Sequence, residues 1–386
     1  MKIMHVVPTY WPAVRYGGPI WSVKYLCEAL VRRGHQVEVV TTSVDGAGDL
    51  NVPLGESVDV EGVSVRYFPS HFMRRLYYSR SMASYLGQEI KKIDFLHLHS
   101  IFLWPTLKAA RMAERSGIPW CVAPRGALVP ELVAAKSTML KKAWLTLFER
   151  RTLERASFIH ATTELEVDDC RRFDYHLPRI EVVPNGVVRP ASFDSIAWPK
   201  RYRSFVSLGP VLLFLGRVNW KKGIDRLIDA LAWMPSVRLI VAGNDEENLA
   251  PKLEKQAADL NVTDRVMFTG PVAGDEKHAL LAKCSALVLP SYSENFGNVV
   301  LEAMAVGRPV AVTPEVGLAR MVSENKVGVV IPGEPEMMGK TLVDFLDDNA
   351  SLDIMGERGR RLVEERFTWD SVAEQMELAY LKYLDR

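Results

Sequence analysis

Two carboxylates eight positions apart frame the run Ser293-Glu294-Asn295-Phe296-Gly297-Asn298-Val299-Val300-Leu301-Glu302. An apolar stretch, Ala286-Leu287-Val288-Leu289-Pro290, leads into it. This order predicts a strand, a tight loop bearing Glu294, and a helix carrying Glu302. The start of a helix exposes unpaired amide N–H groups and a partial positive charge, so it suits an anion. A carboxylate beside such a site repels phosphate, and its chemistry is better matched to hydroxyl groups. Phosphate and polyol side by side describe a sugar nucleotide. The ordinary alternatives are a loop-surface acid for Glu294 and a macrodipole-favoured acid for Glu302. Neither accounts for Phe296-Gly297-Asn298, which sets a glycine where the helix opens.

A second constellation, Gly216-Arg217-Val218-Asn219-Trp220-Lys221-Lys222-Gly223, also follows a predicted strand and opens a helix. Its spacing is not that of a Walker A loop. It offers a guanidinium fork and an ammonium five positions apart, both suited to phosphate oxygens. A solvated charged loop is the alternative. A third, Tyr16-Gly17-Gly18-Pro19, lies just beyond the first strand. Its glycines let backbone amides approach a ligand, although an ordinary strand-to-helix turn reads the same way. His97 and His99 end another strand and share a face by alternation. Two ligands are too few for a metal site, and a satisfied structural role competes with a place near the ligand for His99. Arg125, in Ala123-Pro124-Arg125-Gly126-Ala127, suits a phosphate, an acceptor or a structural ion pair. No Asp-x-Asp sequence occurs, so Arg217 and Lys222 are the expected neutralisers of a leaving diphosphate, with no metal and no other cofactor.

These residues need parallel strands to present them. Short apolar runs alternate with amphipathic stretches: Ile3–Val7, Val37–Thr41, Phe95–Leu98, Trp120–Ala123 and Phe158–Ala161, then Val211–Leu215, Arg238–Ala242, Arg265–Phe268, Ala286–Leu289 and Pro309–Val312. Helices are expected between them, for example at Pro19–Arg33 and Ile224–Trp233. Such alternation predicts an α/β chain of two doubly wound parallel-sheet domains facing a central cleft. The expected divisions are 1–188, a linker at 189–207, 208–368, and a terminal helix at 369–386 that crosses back to the first domain.

With 386 residues the chain has room for two cores, and a net charge of +1 argues against nucleic acid as a partner. Four dispersed cysteines, Cys27, Cys121, Cys170 and Cys284, point to a reducing compartment. No run approaches the roughly 20 apolar residues of a membrane span. Basic and aromatic residues cluster at 71–80 and again from Lys136 to Arg155, including Lys141, Lys142, Trp144 and Arg151. They suit either a solvated helix or an anionic membrane surface. A cytoplasmic protein, peripheral on the inner membrane face, is therefore the expected location.

Together the motifs resemble the retaining GT-B glycosyltransferases of family 4. The resemblance spans nearly the whole chain and is strongest from Val211 to Val312, where Gly-Arg-x4-Lys-Gly precedes Glu-x7-Glu. It includes the early Gly-Gly, the Val183-Pro184-Asn185-Gly186-Val187 segment and Phe367-Thr368-Trp369. It implies that Arg217 and Lys222 hold the donor diphosphate, Glu302 the ribose and Glu294 the transferred sugar. Phe296, Gly297, Asn298, Gly17 and Gly18 would complete the pocket, with Pro271 and Val272 near the base. Many relatives carry a histidine where this chain has Arg125, so no catalytic histidine is carried over. The expected activity is metal-independent transfer of a sugar from a nucleoside diphosphate to a glycan or lipid-linked acceptor of surface polysaccharide synthesis. A non-enzymatic sugar-nucleotide-binding protein and a sugar-nucleotide epimerase are the alternatives.

Overall fold

A computed structural model describes residues 1–135, 143–189 and 197–384. The chain divides into two compact units, Met1–Gly186 with Trp369–Arg386, and Val187–Thr368.

The first unit is built on β1 (Lys2–Val6), β2 (Gln36–Thr42), the small pair β3 (Val44–Asp45) and β4 (Gly48–Asp49), then β5 (Ser57–Val60), β6 (Val63–Phe68), β7 (Phe95–His99), β8 (Trp120–Ala123), β9 (Phe158–Ala161) and β10 (Ile180–Val182). Its main sheet runs β10-β9-β8-β7-β1-β2-β6-β5. Every pairing is parallel except the antiparallel edge β5–β6. β5, β6 and β10 were not anticipated. They are short, partly exposed strands near the edges and lack a continuous apolar run.

Side-chain alternation splits the core across the two sheet faces. Ile3 joins one cluster, while Met4 and Val6 join the other. The first face is covered by the helix Gly18–Arg32, through Val23, Leu26, Cys27 and Leu30, at spacings of one helical face. The helix Trp369–Leu381 covers it too, burying Val372, Ala373, Met376 and Tyr380. The opposite face carries Arg80–Glu89, capped by the Ser79 hydroxyl on Met82 N–H, and Trp104–Ser116.

The second unit holds β11 (Val211–Leu215), β12 (Arg238–Ala242), β13 (Val266–Gly270), β14 (Ala286–Leu289), β15 (Val310–Val312) and β16 (Gly328–Val330). Their order is β13-β12-β11-β14-β15-β16, all parallel. β11, β12, β14 and β15 are buried throughout. The expected linker at 189–207 contains Lys200–Tyr202 and Arg203–Val206, both helical. Tyr202 and Phe205 belong to this unit's core, and residues 190–196 lie outside the described part.

Both sheets reverse direction at their centre. In the first unit the chain leaves β1 toward β2 and later returns beside β1 as β7; in the second it leaves β11 toward β12 and returns as β14. Loops leaving the carboxyl ends of β1 and β7, or of β11 and β14, therefore diverge and open a crevice. Among the described residues no helix is long and apolar enough to cross a membrane.

Candidate functional site

The two loops at the β11/β14 divergence carry the motifs singled out in the sequence. After β11, Gly216 to Gly223 forms one loop, closed by a single helical turn at Trp220–Lys222. Gly223 takes a left-handed φ of +63°, and a Cβ there would sit 2.1 Å from the Pro290 carbonyl oxygen. Only glycine lets the loops touch at this point. The Tyr292 amide donates to the Lys221 carbonyl at 2.7 Å, and Arg226 Nε donates to the Pro290 carbonyl at 2.6 Å. Buried Arg226 thus ties the second loop to the helix following the first.

Beyond β14 the chain is pinned on its other side. Glu294 N–H donates to the Glu315 carbonyl at 3.0 Å, and Gly317 N–H to the Glu294 carbonyl at 2.8 Å. Gly297, at φ +92°, caps the helix Asn298–Ala305. The N-cap residue is a glycine, so it supplies no side-chain cap to the start of that helix. Phe296 is buried beside it.

Lys222 Nζ and a Glu294 carboxylate oxygen form an ion pair, with both side chains about one-fifth exposed. Arg217 reaches Glu246 at 3.1 Å, and Glu302, on the Asn298–Ala305 helix, meets Lys277 Nζ at 2.7 Å. Val272 lies just after β13, partly buried against the core. The fold therefore brings Lys222 and Glu294 into contact. It places Arg217 on the same loop as Lys222, and Glu302 one helix turn beyond Gly297–Asn298.

Three partners escaped the sequence reading: Glu246, Glu247, whose carboxylate accepts from Trp220 N–H at 3.2 Å, and Lys277. The acidic run Asp245-Glu246-Glu247, two residues beyond β12, was an available signal, because it stands at the carboxyl end of the strand next to β11. Lys277 had none, since its helix faces Glu302 only through the fold.

In the first unit, Gly17 caps the helix that Gly18 begins, at the end of the long loop leaving β1. The other predicted residues join a polar assembly contributed by five neighbouring strands. Arg125 follows β8 in a turn where its φ is +56°. Its guanidinium donates to Asn185 Oδ1 at 3.0 Å and to His99 Nδ1 at 3.2 Å. His99 Nε2 lies 2.9 Å from His5 Nδ1. In parallel, Tyr380 OH is 2.8 Å from His97 Nδ1, His97 Nε2 is 3.2 Å from His160 Nδ1, and His160 Nε2 is 2.8 Å from the Val183 carbonyl.

An arginine only donates and a carbonyl only accepts, so the tautomers follow. Arg125 donates to His99, which donates to His5. Tyr380 donates to His97, which donates to His160, which donates to Val183. All four rings are neutral. Burial, aided by the Arg125 charge, holds His5 and His160 down to about 3, and places His97 and His99 well below the ordinary histidine range. His5 and His160 were not anticipated, although each lies mid-strand at the same alternation as its neighbours.

His99 is 2% exposed with both ring nitrogens engaged, so it supports Arg125 and does not face solvent. His5, His97 and His99 bring ligand atoms within 4.8 Å of one another. A metal there would have to displace the hydrogen bonds of His97 and His99 and sit close to the Arg125 cation, which opposes it. The structural ion pair considered for Arg125 is absent among the described residues. The cluster at 71–80 is also partly structural. Arg74 binds Asp49 at 3.0 Å, while Phe72 is 69% exposed. Of the second basic cluster, Lys136, Lys141 and Lys142 lie outside the described residues; Arg151 pairs with Glu114 at 3.0 Å.

A family profile described as a glycosyl transferase 4-like domain matches residues 17–186, and one described as glycosyl transferases group 1 matches 204–362. An uncharacterized glycosyltransferase of Methanocaldococcus jannaschii is 29% identical, over 97% of this chain and 96% of that protein. A D-inositol 3-phosphate glycosyltransferase of Xylanimonas cellulosilytica is 28% identical over 97% and 94%. Among solved structures, sucrose-phosphate synthase from Thermosynechococcus elongatus has a TM-score of 0.73 at 21% identity, covering 99% of each chain. Anabaena HepE in complex with UDP has a TM-score of 0.75 at 20% identity, covering 99% of this chain and 100% of that one. With two such sheets, the motif loops at the β11/β14 divergence and both family profiles matched in order, the chain belongs to the group 1 glycosyltransferases of the GT-B fold.

Proposed function

We propose that this enzyme moves a sugar from a nucleoside diphosphate to a glycan or lipid-linked acceptor of surface polysaccharide, with retention of configuration and without a metal. One observation carries the reading: Lys222 and Glu294 meet across the two loops that diverge from β11 and β14, with Arg217 on the first of them. A diphosphate needs cations and a sugar needs hydroxyl acceptors, and this crevice supplies both. HepE, a structural neighbour, was solved with UDP-glucose, which supports a nucleotide-sugar donor here.

In this reading Arg217 and Lys222 neutralise the leaving diphosphate. Glu294 accepts hydrogen bonds from the transferred sugar, and Glu302 from the ribose. The helix start at Gly297 and Asn298 faces the phosphates, with Phe296 shaping the wall, Val272 beside the base, and Gly17 and Gly18 as further backbone donors. Donor binding exchanges existing pairs: Lys222 leaves Glu294 for phosphate, and Glu294 turns to hydroxyls. A leaving phosphate oxygen takes the acceptor proton on the same face, which gives retention without a protein nucleophile. Exposed Phe72, Met73, Arg75 and Arg80 form a surface suited to the anionic inner face of the membrane.

Thermal-shift screening against UDP-, GDP-, ADP- and TDP-sugars identifies the donor by its stabilisation of the folded state. Arg217→Ala and Glu294→Ala should then abolish transfer with the fold intact; full activity in both overturns the site. The anomeric configuration of the product, read by NMR, tests retention. Activity in EDTA tests metal independence, and sedimentation with anionic vesicles tests the surface.

A further inference from the structure

The Arg125 guanidinium is held by two neutral acceptors and makes no direct ion pair among the described residues, although the Glu166 carboxylate acts on it through space. Two of its five N–H groups are used, on Asn185 and His99. Its Nε is buried without a partner, and among the described residues no carboxylate pairs with it. The nearby Glu166 carboxylate is committed elsewhere. Its oxygens accept from Gly126 N–H at 2.7 Å, Thr162 N–H at 2.8 Å and the Thr162 hydroxyl at 2.9 Å. The four histidines around Arg125 are neutral, so they do not balance its charge. The tautomer chain also leaves a second unsatisfied donor, the buried Nε2–H of His5.

A largely desolvated cation with no direct ion pair is expensive to maintain. Here it is fixed in one geometry by two acceptors that carry no charge. It sits at the carboxyl end of β8, on the edge where parallel sheets bind ligands. The backbone at Arg125 also bears the strain of a left-handed conformation. An ordinary structural arginine has a paired carboxylate, a run of carbonyls or bulk water; this one, partly exposed, keeps outer N–H groups without a partner.

We propose that Arg125 is an oxyanion-binding residue, and that the acceptor carries a phosphate group which docks on it. This rests on the transferase reading above and names the chemistry of its acceptor. His99 and Asn185 act as positioning residues: they aim the fork and leave its remaining outer N–H groups for contact with the phosphate oxygens.

Inorganic phosphate is the probe. It is titrated into an Arg217→Ala/Lys222→Ala background, which removes the donor-side cations, while the imidazole 15N resonances of His99 and His5 are followed. Saturable shifts are expected, and Arg125→Gln in the same background should abolish them. Arg125→Lys, which keeps charge without the fork, should weaken binding about tenfold or more. No saturable response, or an unchanged one in Arg125→Gln with native-like circular dichroism, overturns the proposal. A short isoprenyl phosphate in micelles and a soluble hexose phosphate are then compared. Both should depend on Arg125, and the tighter one identifies whether the phosphate comes on a lipid or a free sugar. Stabilisation of the wild type by nucleoside-diphosphate sugars, and its loss in Arg217→Ala, is measured separately, so failure of the donor reading and failure of the Arg125 proposal give different results.

Discussion

In the second unit, cations and carboxylates stand on loops beyond β11 and β14, partly exposed and paired with each other. In the first unit, the polar groups lie within β1, β7 and β9 themselves, buried, uncharged and linked in fixed order to Tyr380 and Arg125. The sheets reverse at the same place, so the difference comes from where the polar residues fall along each strand. Partly exposed ion pairs contribute about 0–1 kcal/mol each and are readily traded for a ligand's phosphates and hydroxyls. A buried hydrogen-bond string has no such exchange open to it. Losing one member strands another, at about 1–3 kcal/mol. The first arrangement suits a site whose contacts change on binding, the second a platform that holds one group still.

The sharpest way to break this contrast is Lys222→Ala. It should lower the transfer rate about 10²–10³-fold, as expected for a lost electrostatic stabiliser, with little change in melting temperature. A large fall in stability with modest loss of rate would make the pair structural. Tyr380→Phe should do the opposite. It leaves His97 Nδ1 without its donor, and chemical denaturation should show about 1–3 kcal/mol of lost stability.

Acid sharpens the distinction further. The ordinary histidine value is 6.5, and the folded core holds His5 and His160 at about 3. Above 6.5 both states are unprotonated at these rings and stability is full. As pH falls below 6.5 the unfolded chain binds protons that the core refuses. Stability then drops by roughly 1.4 kcal/mol per pH unit for each such ring until about pH 3. Denaturation midpoints measured across this window should show the slope, and His160→Gln should reduce it; a flat profile would mean that the rings are not held neutral. The smallest effect is expected from Glu246→Gln. Freeing Arg217 from a pair with side chains 49% and 37% exposed should change the donor KM by no more than about threefold, with kcat unaltered.

Much of the second unit was legible in the sequence. Its strands are continuous apolar runs, and its motif loops follow them immediately, so position along the chain gave position at the crevice. What stayed hidden were the partners Glu246 and Lys277, which depend on which strands become neighbours. In the first unit the strands were legible in the centre and not at the edge, where β5 exposes alternate residues. His97 and His99 drew notice because they are adjacent in alternation. His5 and His160 did not, since each is a lone polar residue in an apolar strand, and only the order β9-β8-β7-β1 gathers all four.

The bond between Tyr380 and His97 joins residues 283 positions apart. During synthesis, the ribosome therefore releases all of β1 to β10 and the whole of the second unit before the helix that closes the first unit exists. The continuous second unit, Val187–Thr368, has every strand it needs as soon as it emerges. The first must wait with one sheet face bare of Trp369, Met376 and Tyr380, and with an unfinished histidine string. The order of birth and the order of completion are thus reversed, and the nascent first unit is the part of this chain most in need of a chaperone's shelter.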